Sequence, residues 1–80
     1  MGVKDVVEVL VKVLADQPAA VRVEETQHKG TTLVEVYVAQ IDAGKMIGRQ
    51  GRTVAALRTL ASLAGEKEGK TVTLEIREQR

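Results

Sequence analysis

Apolar residues set two different rhythms along this chain. Val3, Val6, Val7, Leu10 and Leu14 recur at the spacing of one helical face, which predicts an amphipathic helix over residues 3–16. Valines lose rotamer freedom in a helix, so this one depends on packing more than on propensity. Val9, Val11 and Val13 carry the apolar surface past a single stripe. Either the helix is deeply embedded or its far side meets a partner. Pro18 stops it, because proline disfavours helical geometry in the preceding residue, Gln17.

The rhythm then drops to two. Val21 and Val23 alternate with Arg22 and Glu24, and Val34, Val36 and Val38 alternate with Glu35 and Tyr37. Lys29-Gly30 between them has turn chemistry, so residues 20–28 and 31–40 form a hairpin with one buried face. Tyr37 falls opposite the buried valines. Asp42 is the expected cap of a short helix over 43–47. Val54, Leu57, Leu60, Ala61 and Ala64 return to helical spacing, and Gly65 and Gly69 bracket the end of that helix. Val72, Leu74 and Ile76 alternate with Thr73, Glu75 and Arg77 in a last strand.

The order is therefore α-β-β-α-α-β. The second and third strands are joined through two helices, a connection long enough for parallel pairing. The economical solution is an α+β fold, a three-stranded mixed sheet with three helices on one face. Val72, Leu74 and Ile76 then face the helices, and Val36, Ile47, Leu57, Leu60 and Ile76 are assigned to the core.

Composition narrows the setting. Eighty residues make one domain, 1–80, with no room for a second core. The sequence has no Phe or Trp and one Tyr, so Val, Leu, Ile and Ala must build the interior. With no cysteine there is neither a disulfide framework nor a thiolate metal site, which favours a cytoplasmic setting. No signal-peptide pattern or membrane-length apolar run is present. His28 stands alone, without a co-ligand, so no metal or other cofactor is expected.

The net charge of +1 hides an asymmetry. Residues 43–65 hold Lys45, Arg49, Arg52 and Arg58 and no acid, leaving eight cations against eleven acids elsewhere, a net −3. Cations confined to one segment make a local anion-binding face.

That segment contains Ile47-Gly48-Arg49-Gln50-Gly51-Arg52, between two predicted helices. Glycines three apart permit a sharp turn and remove Cβ atoms that would hold another backbone away. The next helix starts at Gly51, and the amides of a helix start attract a phosphate. A nucleotide P-loop needs G-x-x-x-x-G-K-[ST], but Gly44-Lys45 precedes Met46 and lacks that frame. A dinucleotide fingerprint needs G-x-G-x-x-G after a strand, and the spacing here is G-x-x-x-G-x-x-G after a helix.

"GKMIGRQGRTVAALRTL" followed by "KEGKTVTLEI", in this order of elements, resembles a type II KH domain. More narrowly, the whole chain resembles the small bacterial single-KH RNA-binding proteins of the KhpA type. The resemblance implies that the G-x-x-G loop clamps a single strand of about four nucleotides in a groove. One wall would be the two helices flanking the loop, the other a strand with its variable loop. Gly48, Arg49, Gln50 and Gly51 would form the clamp, with Lys45, Arg52 and Thr53 bordering it. Met46 and Val54 are candidates for an apolar floor. Residues 28–31 would correspond to the variable loop, which makes His28 and Lys29 secondary contacts, and Arg58 is a further one. The implied partners are single-stranded RNA and a second KH chain, as a homodimer or with a larger KH-containing protein, in an RNA chaperone or post-transcriptional regulator. The alternative is a protein-interaction or ribosome-associated assembly module on the same fold. An enzyme does not fit, because there is no cysteine, no clustered histidine and no nucleotide loop.

Overall fold

The computed structural model describes residues 2–48 and 51–79. Helix α1 (Val3–Leu14) leads through a 3-10 turn (Pro18–Ala20) into strands β1 (Arg22–His28) and β2 (Thr31–Val38). Helices α2 (Gln40–Gly48) and α3 (Arg52–Lys67) follow, and β3 (Thr71–Glu78) closes the order. β1 pairs antiparallel with β2, with Val23 opposite Val36. β2 pairs parallel with β3, with Val34 opposite Leu74. This is the α-β-β-α-α-β order with a three-stranded mixed sheet that the pattern predicts.

β2 is the central strand and reads most clearly. Thr32, Val34, Val36 and Val38 are fully buried, while Leu33, Glu35 and Tyr37 between them are half-buried on the other face. Thr32 is polar at a core position, and its Oγ1 donates to Gln27 Oε1 at 2.9 Å, which removes the penalty of an unpaired hydroxyl. Val3, Val7 and Val11 of α1 and Val54, Leu57 and Ala61 of α3 cover this face together with Leu74. Burying such side chains stabilises by about 1.5–3 kcal/mol each.

Gly65 and Gly69 bracket the end of α3 as expected, with Gly65 inside its last turns. Helix and strand approach so closely there that a Cβ would sit 2.4 Å from Val72 Cγ2 and 3.0 Å from the Lys70 carbonyl. The helix continues to Lys67 and turns through Gly69, whose φ of +69° suits glycine. At the other end of the fold, α1 stops at Leu14, two residues early.

Asp42 does not cap its own helix. α2 begins at Gln40, so Asp42 falls in its first turn, fully buried, and accepts the backbone N–H groups of Asp16 and Gln17 at 2.8 and 3.0 Å. Its carboxylate caps the exit from α1 instead.

Two residues assigned to the core are outside it. Ile47 is 54 % exposed and Leu60 43 % exposed. The buried stripe of α2 runs through Asp42, Ala43 and Met46, and Ile47 stands one position, about 100°, past it. In α3 the stripe is Val54, Leu57, Ala61 and Gly65, with Leu60 flanking it.

Candidate nucleic-acid interface

The turn between α2 and α3 is built around Gly51. Its φ of +72° is the left-handed conformation that side chains rarely adopt. Its N–H donates to the Ile47 carbonyl at 3.2 Å, closing α2, and its carbonyl accepts from Ala55 N–H at 2.9 Å, opening α3. One residue thus ends one helix and begins the next. Among the described residues, a Cβ added at Gly48 or Gly51 would meet nothing within 4 Å, so no described side chain or backbone crowds either glycine. α3 has no side-chain cap and no acid in its first turn. The positive end of its dipole is therefore uncompensated from within the helix. Arg49 and Gln50 lie outside the described residues.

On one side of this turn lies a groove of about 220 Å³, lined by Ile47, Gly51, Val54, Arg58, Glu75 and Ile76. Its floor is aliphatic. Its opposite wall is β3, an edge strand held to α3 by Arg58, whose Nε donates to the Leu74 carbonyl at 3.2 Å. The Arg58 guanidinium also lies 4.0 Å from Glu75 Oε2. Groove width at this point is thus set by a side chain from one wall fastened to the other.

The predicted residues divide between two sides. Gly51, Val54 and Arg58 line the groove against β3. Lys45, Met46 and Thr53 meet Leu14 on the α1 side, and Arg52 and Thr53 border a recess with Leu10, Leu14, Ala56 and Leu60. Met46 is buried core, 2 % exposed, not part of the floor against β3. Lys45 Nζ is 3.1 Å from Asp16 Oδ1, an exposed ion pair. Among the described residues Arg52 is in no ion pair.

His28 and Lys29 are not brought to this groove. Parallel pairing sets Thr31 beside Thr71, so the hairpin turn lies at the end of the sheet where α3 finishes. Gly51 lies level with Ile76, roughly 16 Å further along β3. The residues missed are Ile47, Glu75 and Ile76. Periodicity assigns both isoleucines to the core; that β3 is an edge strand with an open flank was the available signal.

Among the described residues no helix is long and apolar enough to cross a membrane. Among the described residues no group of His, Asp and Glu could hold a metal ion.

Comparison with known proteins places this geometry. The family model described as "KhpA/KhpB, KH domain" matches residues 4–76. The chain is 45 % identical over 77 residues to a protein of Aquifex aeolicus named RNA-binding protein KhpA, covering 96 % of this chain and 98 % of that one. A protein of the same name from Chlamydia trachomatis is 40 % identical over 77 residues, covering 96 % and 99 %. One from Caldanaerobacter subterraneus is 43 % identical over 72 residues, covering 90 % and 96 %. With a match across nearly the whole sequence and a glycine turn between α2 and α3, the chain belongs to the KhpA/KhpB KH-domain family.

Proposed function

We propose that this protein binds single-stranded RNA, holding about four nucleotides in the groove between the α2–α3 turn and β3. It is a binding module and not an enzyme. The observation that carries this is the meeting of an aliphatic floor (Ile47, Val54, Ile76) with an acid-free helix start and two glycines that no described residue crowds. Bases lie on the floor, while the backbone passes the glycines, where no Cβ holds it off. Arg49, Gln50 and Arg52 border the phosphates, and Lys45 joins them when it leaves Asp16. The relatives' shared name, RNA-binding protein, supports the same reading.

One KH unit makes few phosphate contacts, so its affinity is modest and avidity is needed in use. Leu14 and Leu60, 45 and 43 % exposed on α1 and α3, line a recess of about 260 Å³. This face is where a second KH chain would pair, as a homodimer or with a larger relative. Leu60→Asp, followed by sedimentation, reads that pairing directly.

The groove is tested by two exposed isoleucines of one helix. Ile47→Asp puts a carboxylate in the groove, whereas Ile41→Asp puts one at the far end of α2, where residue 41 is 61 % exposed. Both should stay folded, within about 0.5–1 kcal/mol of the parent. Binding of a short single-stranded RNA should be lost in the first and kept in the second. Equal affinity in both places the site elsewhere.

A further inference from the structure

The far face of the sheet carries a row of side chains that the groove does not use. Pairing across the strands sets Arg22 opposite Tyr37, and Tyr37 opposite Arg77. The same register aligns Glu24, Glu35 and Glu75 two positions along. Like charges abreast oppose one another, and the arginines answer them. Arg77 Nε donates to Glu35 Oε2 at 2.7 Å, and Arg22 Nη2 lies 4.0 Å from Glu24 Oε2. The Arg22 guanidinium also stands over the Tyr37 ring, 4.5 Å from its centroid.

Beside this row is a recess of about 590 Å³ lined by Arg22, Tyr37, Ile76, Arg77, Glu78 and Gln79. Ile76 lines the groove beside Gly51 as well. Because β3 is an edge strand, the groove and the recess are the two flanks of one strand edge, joined at Ile76.

We propose that a single strand seated in the groove continues over the edge of β3 at Ile76 and sets a further base on the Arg22–Tyr37 stack, an inference that rests on the RNA-binding reading above. The occupant is a base and not a phosphate. Both arginines are already turned to carboxylates and Glu78 adds a negative charge, so the recess offers an anion little. A base needs a flat face to stack on, which a ring or a guanidinium plane supplies, and edge partners such as Gln79 and Arg77. The groove has only aliphatic side chains on its floor, and the chain has no Phe or Trp and one Tyr, Tyr37. The one other ring, the His28 imidazole, lies at the opposite end of the sheet, so stacking on an aromatic ring beside the groove is available only at Tyr37.

That uniqueness makes the test clean, because tyrosine emission reports one position. Oligouridylates of about four and about eight nucleotides are titrated into the parent, Tyr37→Phe and Tyr37→Leu. The longer strand should bind the parent about tenfold or more tightly than the shorter, and should quench Tyr37 emission where the shorter does not. Tyr37→Phe should keep this gain and Tyr37→Leu should lose it, while both bind the short strand as the parent does. The emission measurement on the parent decides the matter if Tyr37→Leu fails to fold. Equal affinity for the two lengths with unquenched emission overturns the extension alone. Failure of both lengths to bind the parent overturns the groove reading, and the extension with it.

Discussion

The carboxylate of Asp42 reaches back to the end of the first helix, where Oδ1 accepts the Asp16 backbone N–H at 2.8 Å. Oδ2 accepts the Gln17 N–H at 3.0 Å. The side chain of Asp16 then pairs with Lys45, one helical turn before the glycine loop. A buried acid therefore fixes the backbone of an exposed one, and the exposed one holds a cation of the candidate site.

Asp42→Ala should destabilise the fold strongly. Two part-buried backbone donors lose the charged acceptor that a fully buried side chain supplies, at a cost of about 2–4 kcal/mol. In a domain of this size that lowers the melting temperature by about 10 °C or more. Thermal unfolding followed by circular dichroism checks it; a shift of a degree or two would mean that water replaces the carboxylate freely.

Gly65→Ala tests the close approach of α3 to β3. Alanine is the better helix former by about 1 kcal/mol, so propensity alone predicts a gain. The Val72 methyl at 2.4 Å and the Lys70 carbonyl at 3.0 Å predict a loss, of about 1–3 kcal/mol for an overpacked core. Val72→Ala removes the nearer obstacle, so the double substitution should cost less than the two single changes added together. Strict additivity would show that the clash is relieved elsewhere.

Asp16 competes with phosphate for Lys45. Asp16→Asn should tighten binding of single-stranded RNA at low salt and steepen its salt dependence. Each phosphate neutralised adds roughly −0.7 to the slope of log affinity against log salt. The parent slope should lie between about −1.4 and −2, and the variant should be steeper by up to ~0.7. Fluorescence anisotropy across a salt series measures both. An unchanged slope removes Lys45 from the RNA path.

Tyr37 should ionise above the ordinary tyrosine value. Burial on the sheet raises its pKa first, and the carboxylates of Glu35 and Glu24 raise it further. The neutral phenol is favoured by folding, so this stabilisation is whole below pH ~10, the unfolded value, and is lost as pH rises through the folded one. Absorbance titration of tyrosinate should give a midpoint above 10 in the folded protein, and Glu35→Gln should bring it down. A midpoint at the ordinary value in the folded parent would contradict the surroundings described for the ring.

Much of the site was legible because glycine and charge are chemical signals. Gly48 and Gly51 between two helical patterns, and a run of cations without acids, mark the turn without reference to contacts. Ile47 and Ile76 were not legible as groove residues. Periodicity reports only that a residue is apolar on a given side of its own element. It does not report whether another element covers that side. Ile47 ends a short helix beyond the buried stripe, and Ile76 lies on an edge strand, so both border the groove.

The order of elements, the parallel closing strand and the position of the glycine turn are all readable from the residues alone. These follow from local periodicity, turn chemistry and the length of one connection. Tertiary structure alone decided the partners. It gave Asp42 to the end of α1, set Lys45 against Asp16, split the cationic segment between the two sides of α2 and α3, and sent the hairpin turn to the other end of the sheet. The physical reason is separation along the chain: Asp16 and Lys45 are 29 residues apart, and Glu35 and Arg77 are 42 apart. Only packing brings such groups within a hydrogen bond.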